Sequence, residues 1–229
     1  MDHTTAILAK HHRSPAFAET MVATHAGRFN HEFWQFWQDH IHPILPESPC
    51  LLDLGTGPGL ALQAWAERYP QARLLGVDVM TYMLDKARQI LTAVPQVELL
   101  HTDLHTPHLP LESNTVDAAQ AVVVLHEMVQ PIRLLQAAYH HLKPGGRLLI
   151  VDWVRAPIRL YFEPETVDQI LNPDTAPQVL NDAFTHFFEH NRYSVDDLLW
   201  LLELVGFEIL AFQSYTQHRF VRIAAAKPR

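Results

Sequence analysis

The spacing of apolar residues changes period along the chain, and each change marks an element. Cys50-Leu51-Leu52, Asp53 and Leu54 form a short, mostly apolar run, the pattern of a strand buried on both faces of a parallel sheet. Glycines follow at alternate positions, Gly55, Gly57 and Gly59, and a helical period runs from about Leu60 to Arg68, stopping near Pro70. Arg73 to Val77 predicts a second strand ending in Asp78, and Tyr82 to Leu91 a helix. Val97 to His101 predicts a third strand. Thr115 to Leu125 contains a fourth, with Val122-Val123-Val124 as its apolar end. A helix over Ile132 to Leu142, a tight turn at Lys143-Pro144-Gly145-Gly146 and a strand over Arg147 to Asp152 complete the series. Short apolar strands alternating with amphipathic helices predict an α/β fold, a doubly wound, mostly parallel sheet with helices on both faces.

The two flanks differ from this core. Residues 14 to 45 show helical spacing, with Phe17, Met21 and Val22 on one face and a stripe of Phe33, Trp34, Phe36, Trp37 and Ile41. Such a stripe reads first as core packing, though its place before the first strand also suits a lid. Pro43, Pro46 and Pro49 end it. Residues 155 to 193 read as irregular, with four prolines and the aromatic residues Tyr161, Phe162, Phe184, Phe187 and Phe188. Ser194 to Asp197 reads as an N-terminal cap for a helix ending at Gly206. Phe207 to Tyr215 and Phe220 to Ala226 then read as a hairpin at one side of the sheet.

The glycine turn carries the first chemical signal. Glycine lets the chain turn sharply and lets a ligand approach the backbone, and ligands of open α/β sheets bind at this edge. The dinucleotide fingerprint puts its third glycine at the sixth position, where this chain has Leu60, with Gly59 one residue early. Asp78, at the tip of the second strand, has the position and chemistry to accept ribose hydroxyls. Taken alone, the glycines could equally be a structural turn; Asp78 beside them favours a ligand over a solvated strand end.

Composition narrows the setting. The 229 residues suit one domain, and no apolar run is long enough to span a bilayer. Cys50 is the only cysteine, and Met1 to Thr5 lacks the regions of a signal peptide, so a cytoplasmic location is expected. A formal net charge of −8 argues against a nucleic-acid partner. There are sixteen histidines, and His101, His105 and His108 lie near Asp103, but Pro107 and Pro110 place them in a loop, and no metal site is expected.

The motifs together resemble the class I S-adenosylmethionine-dependent methyltransferases, and within them the small-molecule enzymes grouped with ubiquinone and menaquinone biosynthesis. DLGTGPG at 53–59 resembles the family's first motif and GVDVMTYMLDKA at 76–87 its second-strand motif. HTDLHTPHLPLESNTVDAAQAVVVLHEM at 101–128 is similar to the third and fourth strands with their loops. HLKPGGRLLIVDW at 141–153 and YSVDDLLWLLELVGFEIL at 193–210 resemble the approach to strand five and the last helix with the start of strand six. The resemblance spans about His25 to Ala226 and implies seven strands in the order 3-2-1-4-5-7-6, with strand seven antiparallel. With the flanks read above, the chain divides into an N-terminal helical lid, 1–49, and a cofactor-binding methyltransferase domain, 50–229, with a substrate-capping insertion at 155–193.

The resemblance also implies roles. Gly55, Thr56 and Gly57 would sit under the methionine part of S-adenosylmethionine, with Asp53 supporting its amino group and Ala121 contacting the same end. Asp78 would bind the ribose, with Val79 beside it in the motif, and Met80 would pack on the adenine. Asp103 and the Leu104 amide would meet the adenine edge. The cofactor lacks a pyrophosphate, so the loop need not present a helix terminus to an anion. His126 and, behind it, Glu127 would lie on the substrate side as base or orienter of a small-molecule acceptor. The aromatic-acid pair frequent before the family's first helix is replaced here by Arg28-Phe29-Asn30. No NPPY-like tetrapeptide follows strand four, which disfavours nucleic-acid bases as acceptors. The resemblance leaves room for a homodimer. Two other readings stand beside methyl transfer, a non-catalytic cofactor-binding scaffold or regulator and an NAD(P)-dependent oxidoreductase.

Overall fold

A computed structural model describes residues 16–106, 108–162 and 164–229. Met1 to Thr5 and residues 14–15 lie outside the described residues. Seven strands form one sheet, β1 (Cys50–Leu54), β2 (Arg73–Asp78), β3 (Val97–His101), β4 (Val116–Val122), β5 (Leu142–Trp153), β6 (Glu208–Tyr215) and β7 (Phe220–Ala226). Their order is 3-2-1-4-5-7-6. β1 to β5 pair in parallel, while β7 runs antiparallel to both β5 and β6. This is the order the resemblance implied, and the strand ends agree closely with those read from the sequence except at β4 and β5.

Strand alternation divides the core in two. Leu52, Leu54, Leu75, Val77, Ala119, Ala121, Leu148 and Ile150 face one layer with α6 (Pro131–His141) and α9 (Val195–Val205). Leu51, Leu74, Ala118, Leu149 and Val151 face the other, with α3 (His31–His40), α4 (Leu60–Arg68) and α5 (Thr81–Ile90). Both faces of the central strands are thus buried, which is why they read as apolar runs. The aromatic stripe belongs mainly to the second layer. Phe33 and Trp37 are fully buried, Trp37 lies 5.1 Å from the Trp65 ring, and its Nε1 donates to the Tyr69 hydroxyl at 2.8 Å.

Four boundaries depart from the sequence reading. The stretch read as helical over 14–45 is, where described, three pieces, α1 (Ala16–Ala23), α2 (His25–Arg28) and α3, followed by a 3-10 turn at His42–Ile44. Asn30 separates α2 from α3, because its side chain accepts from the Phe33 amide at 3.0 Å and caps α3. The region 155–193 is not irregular. It holds a 3-10 turn at Ile158–Leu160 and two helices, α7 (Pro164–Leu171) and α8 (Pro177–His190). Two of the prolines that suggested irregularity instead open helices, where the missing N–H costs nothing. Lys143 to Gly146 is a bulge within β5. Leu142 pairs with Val116, and the register resumes at Arg147 with Ala118. β4 stops at Val122, since Val123 turns into the left-handed region with φ 60. Where a cap was predicted, the reciprocal pair is present, with the Asp197 amide donating to Ser194 Oγ at 3.1 Å and the Ser194 amide to Asp197 Oδ2 at 2.7 Å.

Candidate active site

A cavity of about 630 Å³ opens at the carboxyl ends of β1, β2 and β4, a volume in the range of small-molecule sites. Its floor is the glycine turn. Gly55 has φ 78, and an added Cβ would meet Val124 Cγ2 at 2.3 Å, so this position has room for no side chain. The amides of Gly55 and Thr56 both donate to the Val77 carbonyl, at 2.8 and 2.9 Å. The Gly57 amide donates to Asp78 Oδ2 at 2.8 Å, and the Gly59 amide to the Thr56 carbonyl at 3.0 Å. The loop amides are therefore committed inside the protein and form no cradle for a phosphate.

Three carboxylates line the cavity near this floor, Asp53, Asp78 and Asp103. Asp53 is buried, and Gln120 Nε2 donates to its Oδ1 at 3.0 Å. Burial raises its carboxyl pKa to about 6. Asp78 also accepts from the Met80 amide, through Oδ1 at 2.8 Å, so one carboxylate holds the glycine loop and the start of α5 together. Asp103 Oδ1 accepts from the His105 amide at 2.9 Å and lies 3.0 Å from His105 Nδ1. Acidic acceptors without an anion-binding nest fit a ligand that carries hydroxyls and positive charge, as S-adenosylmethionine does, better than a pyrophosphate.

Of the residues singled out from sequence, Asp53, Gly55, Thr56, Gly57, Asp78, Val79, Met80, Asp103, Leu104, His126 and Glu127 all line this cavity. Ala121 does not. It is fully buried in the α6 and α9 layer, and Val122, Val123 and Val124 line the cavity at that place. The strand ends one residue later, and its left-handed turn brings the following residues to the wall. The loop histidines diverge. His101 Nε2 donates to the Val79 carbonyl at 2.9 Å, His105 meets Asp103, and His108 packs on His140 with ring centroids 5.2 Å apart.

Next to the floor, on the turn after β4, stands a second group. His126 sits in a 3-10 turn, Leu125–Glu127, and is buried. Its Nδ1 lies 2.6 Å from Asp152 Oδ1, and its Nε2 lies 3.7 Å from Glu127 Oε1. Burial alone would lower the imidazole pKa, but the charge and hydrogen bond of Asp152, with Glu127, raise it above the usual histidine value. Tyr82 faces the same cavity, and burial, then the charges of Asp78 and Glu127, push its phenol up to about 12.

Two segments outside the sheet complete the walls. From α1 and α2 come Phe17, Met21, His25 and Arg28, with Phe29 beyond them, and from α8 come His186 and His190. Arg28 is part-buried and donates through Nη2 to the Met21 carbonyl at 2.7 Å. His190 stacks on Trp153 at 4.7 Å, and its Nδ1 lies 2.6 Å from the Tyr161 hydroxyl. Phe33 and Trp37, which read first as core packing though their stripe also suited a lid, lie in the core, and Phe188 is exposed.

Asp152, Tyr82, His186 and His190 were missed from the sequence. Asp152 carried a usable signal, a carboxylate at the carboxyl end of an apolar strand, as at Asp78. The two histidines carried one as well, an i, i+4 spacing that places both on one helix face, but it was hidden while residues 155–193 read as irregular.

Residues 52–150 match the family described as "Methyltransferase domain". Among named relatives, the chain is 40% identical over 108 residues to trans-aconitate 2-methyltransferase of Azoarcus sp. (strain BH72), covering 46% of this chain and 40% of that one. It is 30% identical over 119 residues to demethylmenaquinone methyltransferase of Chlamydia trachomatis serovar L2, covering 52% and 51%. The match spans about half or less of these relatives' length. A solved SAM-dependent methyltransferase from Aquifex aeolicus shares the fold, with TM-score 0.69 and 18% identity over 93% of this chain and 98% of that one.

Proposed function

From the methyltransferase domain at residues 52–150, we propose that this chain transfers a methyl group from S-adenosylmethionine to a small-molecule acceptor. The observation that carries the reading is the cavity floor, three carboxylates beside a glycine turn whose amides are already bonded. In this reading Asp78 binds the ribose hydroxyls and Asp103 and Leu104 the adenine edge. Val79 and Met80 flank the nucleoside, and Asp53, Gly55, Thr56 and Gly57 hold the methionine end. When bound, the cofactor supplies a methyl group activated by a sulfonium, whose carbon–sulfur bond breaks with its electron pair returning to sulfur. The protein's part is to align the acceptor, exclude water and manage a proton.

His126 and Glu127 face the acceptor side. The α1–α2 segment and α8 act as the lid and cap of that pocket, with Phe29, Trp153 and the α8 histidines against the acceptor. Enclosure of this kind, with a net charge of −8, favours a small acceptor over a nucleic acid. The relatives named for trans-aconitate and demethylmenaquinone suggest that the screening panel combine carboxylic acids with phenols and quinols. Among the described residues no helix is long and apolar enough to cross a membrane, and action in the cytoplasm fits the single cysteine.

Calorimetric titration with S-adenosylhomocysteine tests the reading, and saturation with NADH but not with the S-adenosyl compound would overturn it. The same titration has a predicted pH dependence. Burial holds the Asp53 carboxyl near a pKa of about 6 in the free protein, and a cationic amino group beside it favours the ionised form and lowers that value. Binding therefore releases a proton below pH 6. Affinity is expected to rise about tenfold per pH unit as pH approaches 6 from below, then to level off. Asp53→Asn should flatten that slope, and an unchanged slope would place the cofactor's ammonium elsewhere.

A further inference from the structure

Building on the methyl-transfer reading, the geometry around Asp152 bears on how the acceptor loses its proton. Asp152 is fully buried near the end of β5, and four donors surround its carboxylate. Oδ2 accepts from the amides of Val124 at 3.0 Å and Leu125 at 2.6 Å. Oδ1 accepts from the Trp153 amide at 2.7 Å and lies 2.6 Å from His126 Nδ1. Backbone amides only donate, so three of these four contacts use the carboxyl oxygens as acceptors. His126 Nδ1 then carries the hydrogen toward it. The other ring nitrogen, Nε2, points the opposite way, toward Glu127, and both side chains line the cavity.

The turn that delivers the histidine is strained. Val123 has φ 60, a region that a β-branched residue seldom enters. Its amide is tied to the Val151 carbonyl at 2.7 Å, and the next two amides are tied to Asp152. One carboxylate thus fixes both the strained turn and the ring it presents.

We propose that Asp152 is a positioning residue that holds His126 as the Nδ1–H tautomer, directing Nε2 at the cavity to take the proton of the methyl acceptor. The acceptor class follows, a molecule whose nucleophilic atom bears a proton, such as an alcohol, a phenol or an acidic carbon. The bond from that atom to hydrogen breaks, its electron pair stays on the nucleophile, and the proton ends on Nε2. The resulting imidazolium is balanced by Asp152. Other charged or titratable groups face the ring from its surroundings, Glu127 from the same turn, Arg192 just after α8, and His190 of α8 with its ring 5.0 Å away.

The test uses the full chain with isotope-labelled histidine and nitrogen–proton correlation NMR across about pH 5.5–9.5, with and without S-adenosylhomocysteine. The His126 signals are those absent from His126→Gln. The expected result is a neutral form protonated at Nδ1, with a midpoint above the ordinary histidine value. In Asp152→Asn the amide NH₂ can face Nδ1 and move the hydrogen to Nε2, so the tautomer should invert and the midpoint drop by about one unit or more. With whichever acceptor of the panel reacts, kcat of Asp152→Asn should fall at least about tenfold while KM for S-adenosylmethionine holds. A neutral wild-type ring protonated at Nε2, or an Asp152→Asn protein whose tautomer, midpoint and kcat match the parent, would overturn the proposal. If Asp152→Asn does not fold, the wild-type tautomer decides alone. Failure of S-adenosylhomocysteine to bind would instead remove the methyl-transfer reading and leave the tautomer result standing.

Discussion

Asp78→Ala raises the dissociation constant for S-adenosylhomocysteine about a hundredfold or more, and the chain stays folded. Two ribose hydroxyls on one carboxylate make charge-assisted bonds worth roughly 1.5–3 kcal/mol each, so losing both costs at least about 3 kcal/mol of binding. The structure adds a second reason for a large effect. Asp78 also holds the Gly57 and Met80 amides at 2.8 Å, so its removal loosens the glycine loop proposed to carry the methionine end. The sheet beneath does not depend on it, because the apolar layers on both faces are built from other residues. Asp78→Asn should fall between parent and alanine variant, since an amide oxygen accepts from one backbone N–H while its NH₂ opposes the other. Calorimetry gives the affinity, and thermal melting followed by circular dichroism confirms folding. Binding by Asp78→Ala at parental strength would reduce Asp78 to a pin for the loop.

The sheet was legible because its signals are local. Strands buried on both faces must be apolar throughout, and amphipathic helices must carry a 3.6-residue period, so both features appear in consecutive residues. What failed to read was structure decided by distant partners. Pro164 and Pro177 looked like breakers, yet each opens a helix. The end of β4 looked like a continuous valine run. Only the carboxylate of Asp152, nearly thirty residues away, holds the Val124 and Leu125 amides once the chain has turned at Val123.

The same division runs through the site. The floor residues share short motifs, and the fold gathers Asp53, Gly55, Asp78 and Asp103 at one sheet edge. The rest of the cavity wall has no such motif. It is assembled from α1–α2, the turn after β4 and α8, segments far apart in sequence, so its chemistry had to be read from their convergence. The aromatic stripe read first as core packing and also suited a lid, and Phe33 and Trp37 are the ones the core requires, packed beside Trp65. The residues those segments leave at the cavity mix aromatic and polar side chains, Phe17 and Phe29 with His25, Arg28, His186 and His190.

In the proposed reaction, His126 is the side chain on which turnover depends most. His126→Gln is expected to lower kcat by about 10²–10⁴, the usual contribution of a positioned acid–base group, with little change in cofactor affinity. Glutamine keeps a similar reach and a hydrogen-bonding end but accepts no proton near neutral pH. The effect should also be visible in the pH profile. The base form of His126 exists only above its pKa, which Asp152 and Glu127 raise beyond the usual 6.5 against the opposing effect of burial. With the parent enzyme, kcat should therefore climb with pH through a window above 6.5 and then level off, and the climb should vanish in His126→Gln. S-adenosylhomocysteine release with the reactive acceptor of the panel gives kcat, and calorimetry gives the cofactor affinity. Equal losses of affinity and turnover would make the residue a structural support of the cavity. An unchanged kcat with an unchanged profile would mean that the nucleophile arrives already deprotonated, and Glu127 would then have no proton-transfer partner in this ring.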